Sequence, residues 1–184
     1  MDPSCVARVA IVGTSCAGKT TLACALSHAL GVPHTELDVL YWGPNWTPRP
    51  PEEFRSRVQE AVAAPSWVVD GNYSVVRDLV WGNATTLVWL NYPVSLVFPR
   101  AVRRTFRRIV TQEPLFAGNR ESLAITDPEW IPWWVLRSFW RRRREYPLLF
   151  RQPEFERLHV QEFTRPTQAE RFLRSCVATA TGKN

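Results

Sequence analysis

The eight residues Gly13-Thr14-Ser15-Cys16-Ala17-Gly18-Lys19-Thr20 constrain the fold more than any other stretch of the chain. They match the pattern GxxxxGK[ST]. Before them stands RVAIVG, a β-rich run over 8–13, and after them KTTLACALSHALG, where Leu22, Leu26 and Leu30 recur at helical spacing until Gly31. Strand, tight loop and helix in that order open a βαβ unit and put a helix N-terminus at the loop. Backbone N–H groups of residues 13–21, from Gly13 to Thr21, together with the positive end of the helix, suit phosphate. Gly13 and Gly18 allow close approach, and the Thr20 hydroxyl is placed for Mg²⁺.

The chain carries 21 arginines and two lysines, Lys19 and Lys183. A compact ammonium fits beneath the β- and γ-phosphates where a broad guanidinium fork does not, which gives Lys19 a reason to differ from the rest.

The remaining sequence continues the alternation. Strands are expected at 32–38, 66–72, 85–91 and 155–161, and helices at 52–64, 94–110, 132–150 and 166–178, with Pro99 expected to bend or interrupt the 94–110 helix. TTLVWLN (85–91) is apolar almost throughout, the pattern of a strand covered on both faces. Five strands alternating with helices imply a doubly wound α/β fold. With 184 residues, one domain over 1–184 is expected, with a lid inserted at about 111–145.

Apolar residues make up 45% and charged residues 22%, and no window approaches the roughly 18 apolar residues of a membrane span, so no membrane association is expected. MDPSCVARVAIVG lacks a basic segment leading into an apolar one, so no export is expected. Cys5, Cys16, Cys24 and Cys176 form no CxxC pair and no zinc spacing, as reduced thiols in a cytoplasm would. The net charge of +6 fits phosphorylated metabolites, nucleotides or nucleic acid alike. An NKxD tetrad, the usual mark of a GTPase, is absent, and so is the strand ending in paired acids that motor ATPases carry.

The stretches GTSCAGKTTL, HTELDVLYWGPNW, WVVDGNYSVVRDLVW, TTLVWLNYP, RRTFRR and GNRESL are similar to the adenylate-kinase-like P-loop kinases. Within them the chain most resembles the small bacterial branch labelled "DNA topology modulation protein" or FlaR-like. The resemblance implies a three-layer α/β/α fold, a five-stranded parallel sheet in the order 2-3-1-4-5, and an arginine-rich helical lid. It also implies ATP and Mg²⁺ as cofactors and a small-molecule phosphate acceptor.

Residue by residue, the resemblance puts Asp70 of VVDG where such kinases hold Mg²⁺ through water. Arg100 and Arg104 fall at the spacing of an adenine-stacking and a phosphate-reaching arginine, i, i+4 on one helix face. Arg142, four residues before Tyr146, matches an arginine that contacts the transferring phosphates. Its neighbours Arg141, Arg143 and Arg144 cover the other sides of a helix and are expected to face solvent. Arg165 and Pro166 fall where relatives wrap the adenine edge. Asp38, expected at the end of strand 2, is the residue to align an acceptor hydroxyl and accept its proton.

Tyr41, Trp42, Trp46, Tyr73 and Trp81, with Asn45, Asn72 and Arg77, suggest an aromatic acceptor wall with a few polar groups. Arg77 and Arg120 are candidates for an acceptor phosphate or the γ-phosphate, set against surface pairing with Asp78 or Glu121. Ser74 stands where adenylate kinases carry an arginine, which departs from a strict AMP-kinase pattern. Trp67 and Trp89 are expected in the core, and Trp130, Trp133, Trp134 and Trp140 packing the lid helix to the body. These features favour an ATP-dependent phosphotransferase acting on a nucleoside monophosphate or a ring-bearing hydroxyl metabolite. The alternative is a nucleic-acid-binding ATPase or regulatory protein that grips phosphates through segments 100–108 and 137–144.

Overall fold

A computed structural model describes residues 7–123 and 130–181; Cys5, Lys183 and the lid residues 124–129 lie outside the described residues. Five strands, β1 (Arg8–Gly13), β2 (His34–Glu36), β3 (Trp67–Asp70), β4 (Thr86–Leu90) and β5 (His159–Phe163), form one sheet in the order β2-β3-β1-β4-β5. Every pairing is parallel. The expected order and architecture are therefore those observed.

Among the described residues seven helices surround the sheet: α1 (Lys19–Leu30), α2 (Leu37–Tyr41), α3 (Pro51–Val62), α4 (Arg77–Asn83), α5 (Val94–Thr111), α6 (Ile131–Leu149) and α7 (Pro166–Thr181). Successive residues of a strand point to opposite faces, and here both faces are apolar. Val9, Ile11, Val88 and Leu90 join one core with α1, α5 and α7. Ala10, Val12, Leu87 and Trp89 join a second core with α3 and α4. Trp67 and Trp89 are buried, as expected. Trp133 and Trp140 stand 47% and 57% exposed on α6, against the expectation that they pack the lid helix to the body.

The element bounds depart from expectation in instructive places. β2 ends at Glu36, and Asp38 lies on the short helix α2 rather than at a strand end. The chain turns there because Leu37 drops beneath the β3 loop: a Cβ on Gly71 would meet Leu37 at 2.7 Å. α4 carries no clear stop or start signal and was not expected. β5 begins at His159 rather than 155, because Phe155 belongs to a 3₁₀ turn that buries its ring against Trp81, with centroids 5.3 Å apart. Pro99 does not interrupt α5. It sits on the exposed side, and the Ser95 carbonyl it leaves without an N–H partner also lies on an exposed residue.

Candidate active site

Parallel strands open their C-terminal ends to one side, where the crevice at the switch in strand order takes ligands in open α/β sheets. Gly13 closes β1 at that edge. It packs so tightly on β4 that a Cβ would sit 2.6 Å from the Leu90 carbonyl oxygen, and its φ of 151° suits glycine. Cys16 and Gly18 then take left-handed conformations, φ 67° and 92°, an alternation that turns successive N–H groups toward one centre. α1 begins with no side-chain cap and no acid in its first turn, so its free N–H groups and dipole face the same place.

A cavity of 330 Å³ opens over this loop, lined by Cys16, Gly18, Lys19, Thr20, Thr21, Arg100 and Arg104. Arg104 lines it, and its buried Nε has no hydrogen-bond partner among the described residues, while Arg100 lies at the exposed rim. Burial pushes the Lys19 ammonium down from the usual lysine range. The Arg142 guanidinium adds to this, and Asp70 and Asp38 oppose it. Burial also raises the Cys16 thiol, so the loop cysteine is held neutral against the pull of Arg104 and Lys19.

Two further side chains define the floor. Asp70, 2% exposed at the end of β3, accepts a hydrogen bond from the Thr20 hydroxyl at 2.9 Å. Glu36 lies opposite Asp70 in the strand register, and its Oε1 is 3.3 Å from the same hydroxyl. Burial, then the carboxylates of Asp70 and Asp38, raise the Glu36 carboxyl above its ordinary range. Hard oxygen donors of this kind suit Mg²⁺, which takes one or two carboxylates and completes its octahedron with water and phosphate oxygens. Among the described residues no set of three or more His, Cys, Asp or Glu side chains is arranged to hold a metal.

Beside α2, Tyr73 donates to Asp38 Oδ1 at 2.5 Å; burial, then the Asp38 carboxylate, pushes the phenol far up. The Tyr73 ring lies 4.5 Å from Tyr41 and 5.1 Å from Phe54, and Tyr41 and Trp42 meet edge to face at 4.8 Å. Arg77 stacks over Trp81, 5.1 Å to the ring centroid. Asn72 lines the same cleft, yet its amide is spent on a clamp. It accepts from the Gly13 N–H at 2.9 Å and donates to the Gly13 carbonyl at 2.8 Å, while the Tyr146 hydroxyl donates to Asn72 Oδ1 at 3.0 Å.

Of the four consecutive arginines, Arg142 alone is buried; it donates to Ser138 Oγ at 3.0 Å, and burial lowers its pKa. Arg143 donates to Asn91 at 2.7 Å, and Arg141 and Arg144 are exposed. The structure thus brings Lys19, Thr20, Asp70, Asp38, Arg104 and Arg142 around one crevice.

Other candidates stand apart from it. Arg120 is exposed and donates to the Gln112 carbonyl that ends α5. Arg165 is exposed too; its backbone N–H donates to Gln168 Oε1, a cap at the start of α7, where Pro166 is the first residue. Neither surface pairing weighed for Arg77 and Arg120 forms, because Asp78 pairs with Arg55 and Glu121 with Arg108. Glu36 and His34 were not among the sequence candidates. Only the pairing of β2 beside β3 sets them against Asp70, a neighbour 34 or more positions away in the chain.

No family model matches this chain, and no curated protein matches it. Its fold is similar to that of solved small-molecule kinases. Shikimate kinase from Acinetobacter baumannii in complex with shikimate aligns with TM-score 0.54 and 18% identity over 97% of this chain and 95% of that one. A gluconokinase from Sinorhizobium meliloti 1021 aligns with TM-score 0.51 and 17% identity over 97% and 93%. Shikimate kinase from Aquifex aeolicus vf5 aligns with TM-score 0.52 and 12% identity over 95% and 96%. The five-stranded parallel sheet in the order 2-3-1-4-5 is thus the fold of P-loop small-molecule kinases.

Proposed function

We propose that this chain transfers the γ-phosphoryl group of Mg²⁺-bound ATP to a small acceptor, as an adenylate-kinase-like P-loop kinase would. One observation carries the reading: a phosphate loop with a compact cation, a hydroxyl–carboxylate pair and a separate carboxylate on α2 converge on one crevice. A bound Mg²⁺ would supply positive charge against the phosphates. The Thr20 hydroxyl and the Asp70 carboxylate are the residues that would hold it. Lys19 sits under the phosphates as a point charge, and Arg104 and Arg142 neutralise the transferring group from the lid side. Phosphoryl transfer is mainly positioning and charge stabilisation, so these five residues do most of the chemistry.

Asp38 aligns the acceptor and takes its proton, and Tyr73 must release it first. The Asp38–Tyr73 pair favours a hydroxyl acceptor over a phosphate. A carboxylate repels an anionic acceptor, Arg77 is stacked on Trp81, and Ser74 supplies no cation. Nucleoside monophosphates remain in the test set as the second acceptor class.

The test is ADP release and label transfer from γ-labelled ATP with a panel of hydroxylated ring metabolites, nucleosides and nucleoside monophosphates. Acceptor-dependent transfer is expected. Hydrolysis stimulated by DNA alone would replace the kinase with a nucleic-acid-dependent ATPase.

A further inference from the structure

Behind the carboxylate that faces the metal position lies a side chain with no part in the reading above. His34, on β2, places Nε2 2.7 Å from Asp70 Oδ1, and its side chain is 15% exposed. Its other nitrogen, Nδ1, lies 3.5 Å from Cys24 Sγ. A carboxylate only accepts, so Nε2 carries the proton and donates to Asp70.

The arrangement follows from the way α1 lies over β2. Thr20 and Cys24 are one turn apart, about 6 Å along the helix. Glu36 and His34 are two residues apart on one face of the strand, about 6.6 Å. The two repeats match, so Thr20 meets Glu36 while Cys24 meets His34. Asp70 lies between them with each oxygen assigned: Oδ1 to His34 and Oδ2 to Thr20.

We propose that His34 is a positioning residue for the metal-facing carboxylate, holding Asp70 so that Oδ2 is turned toward Thr20 and the cation. The proposal rests on the kinase reading. A carboxylate bonded at one oxygen does not rotate about its terminal torsion, which is otherwise broad. Partners of this kind, one shell out from a metal, typically set its affinity by about 10–100-fold. His34 acts through Asp70 and does not touch the nucleotide loop itself.

The probe is Mn²⁺ with ADP, followed by the electron paramagnetic resonance signal of free Mn²⁺. Calorimetry measures ADP binding in parallel, with and without EDTA. His34→Leu keeps the volume and removes the donor, His34→Ala is a second removal, and His34→Gln restores a donor near the Nε2 position. Melting midpoints and far-ultraviolet circular dichroism select the folded variants.

His34→Leu is expected to weaken Mn²⁺ binding to the ADP complex by about tenfold, with ADP affinity in EDTA unchanged. His34→Gln is expected to recover to within about threefold of the unaltered protein. Unchanged Mn²⁺ affinity in a folded His34→Leu or His34→Ala variant would overturn the proposal. So would equal losses in the Leu and Gln variants, which would assign the effect to packing. If the unaltered protein binds ADP neither with nor without metal, the kinase reading fails and this proposal with it. Normal ADP binding with an indifferent His34 rejects the proposal alone.

Discussion

Lysine and arginine carry the same charge in different shapes, and the crevice distinguishes them. Lys19 makes no hydrogen bond or ion pair with the described residues, and burial disfavours its charged form. Removing it should therefore cost little stability while removing a charge placed for the β- and γ-phosphates. Lys19→Ala is expected to lower kcat by at least about 10²-fold, the loss seen when one pre-set electrostatic donor is deleted. Its melting midpoint should stay within about 2 °C of the unaltered value, which scanning calorimetry checks. Lys19→Arg is expected to be nearly as inactive.

Glu36 presents the opposite case. Its raised pKa means that the folded protein resists its ionisation, so the penalty is absent at low pH and grows as pH rises from the unfolded carboxylate range through the folded pKa. Glu36→Gln is expected to raise the melting midpoint at neutral pH, which scanning calorimetry checks. The gain should vanish as pH falls below about 4.3. No rise at neutral pH would mean that Glu36 is well solvated. Residues such as Lys19, Thr20 and Asp70 were legible because motif and strand end mark them in chain order. Glu36 and His34 were not, since their chemistry arises from a lateral pairing that no local pattern records.

At the level of elements, α6 shows how a helix sorts like residues by direction. Four arginines in a row span one turn, so they point around the whole circumference, and the face that packs on the sheet receives Arg142 with Ser138 and Tyr146. Arg142→Ala is expected to reduce kcat by about 10²–10³-fold with a smaller change in KM, whereas Arg144→Ala stays within about twofold. Steady-state kinetics on the two variants decides it, and equal effects would remove Arg142 from the site.

Apolar strands and helices of ordinary length could be read from the sequence, since their periodicity is strong. The short elements could not. α2 and α4 are 5 and 7 residues long, too brief for a periodic signal, and both exist because a buried contact turns the chain: Leu37 beneath Gly71, and Trp81 against Tyr146. Of the two outcomes expected at Pro99, interruption does not occur, because a proline on an exposed helix face forfeits one bond without ending the helix. Asp38 belongs to the same lesson. Its place beside the crevice survives the change from strand end to helix, as the chain reverses within two residues of β2.

For the whole molecule, the two apolar layers hold the sheet rigid, while the loops at its C-terminal edge are tied by polar side chains. The Asn72 amide clips the start of the phosphate loop to the end of β3. The buried Asn119 amide bridges the acceptor loop to the base of the lid, accepting from the Trp46 N–H at 3.0 Å and donating to the Gly43 carbonyl at 2.8 Å. The crevice is therefore built in the folded state and absent from the unfolded chain, so a nucleotide that binds it must stabilise the whole fold. At a ligand concentration of 100 times Kd the gain is about 2.7 kcal/mol, which in a chain of this length raises the melting midpoint by roughly 5–10 °C. Mg²⁺–ADP is expected to produce that rise in the unaltered protein and almost none in Lys19→Ala. Duplex DNA is expected to leave the midpoint unchanged at 150 mM salt, a concentration at which binding through phosphate contacts alone is weak. A rise with DNA that survives Lys19→Ala and collapses with added salt would assign the arginine-rich helices to nucleic acid instead.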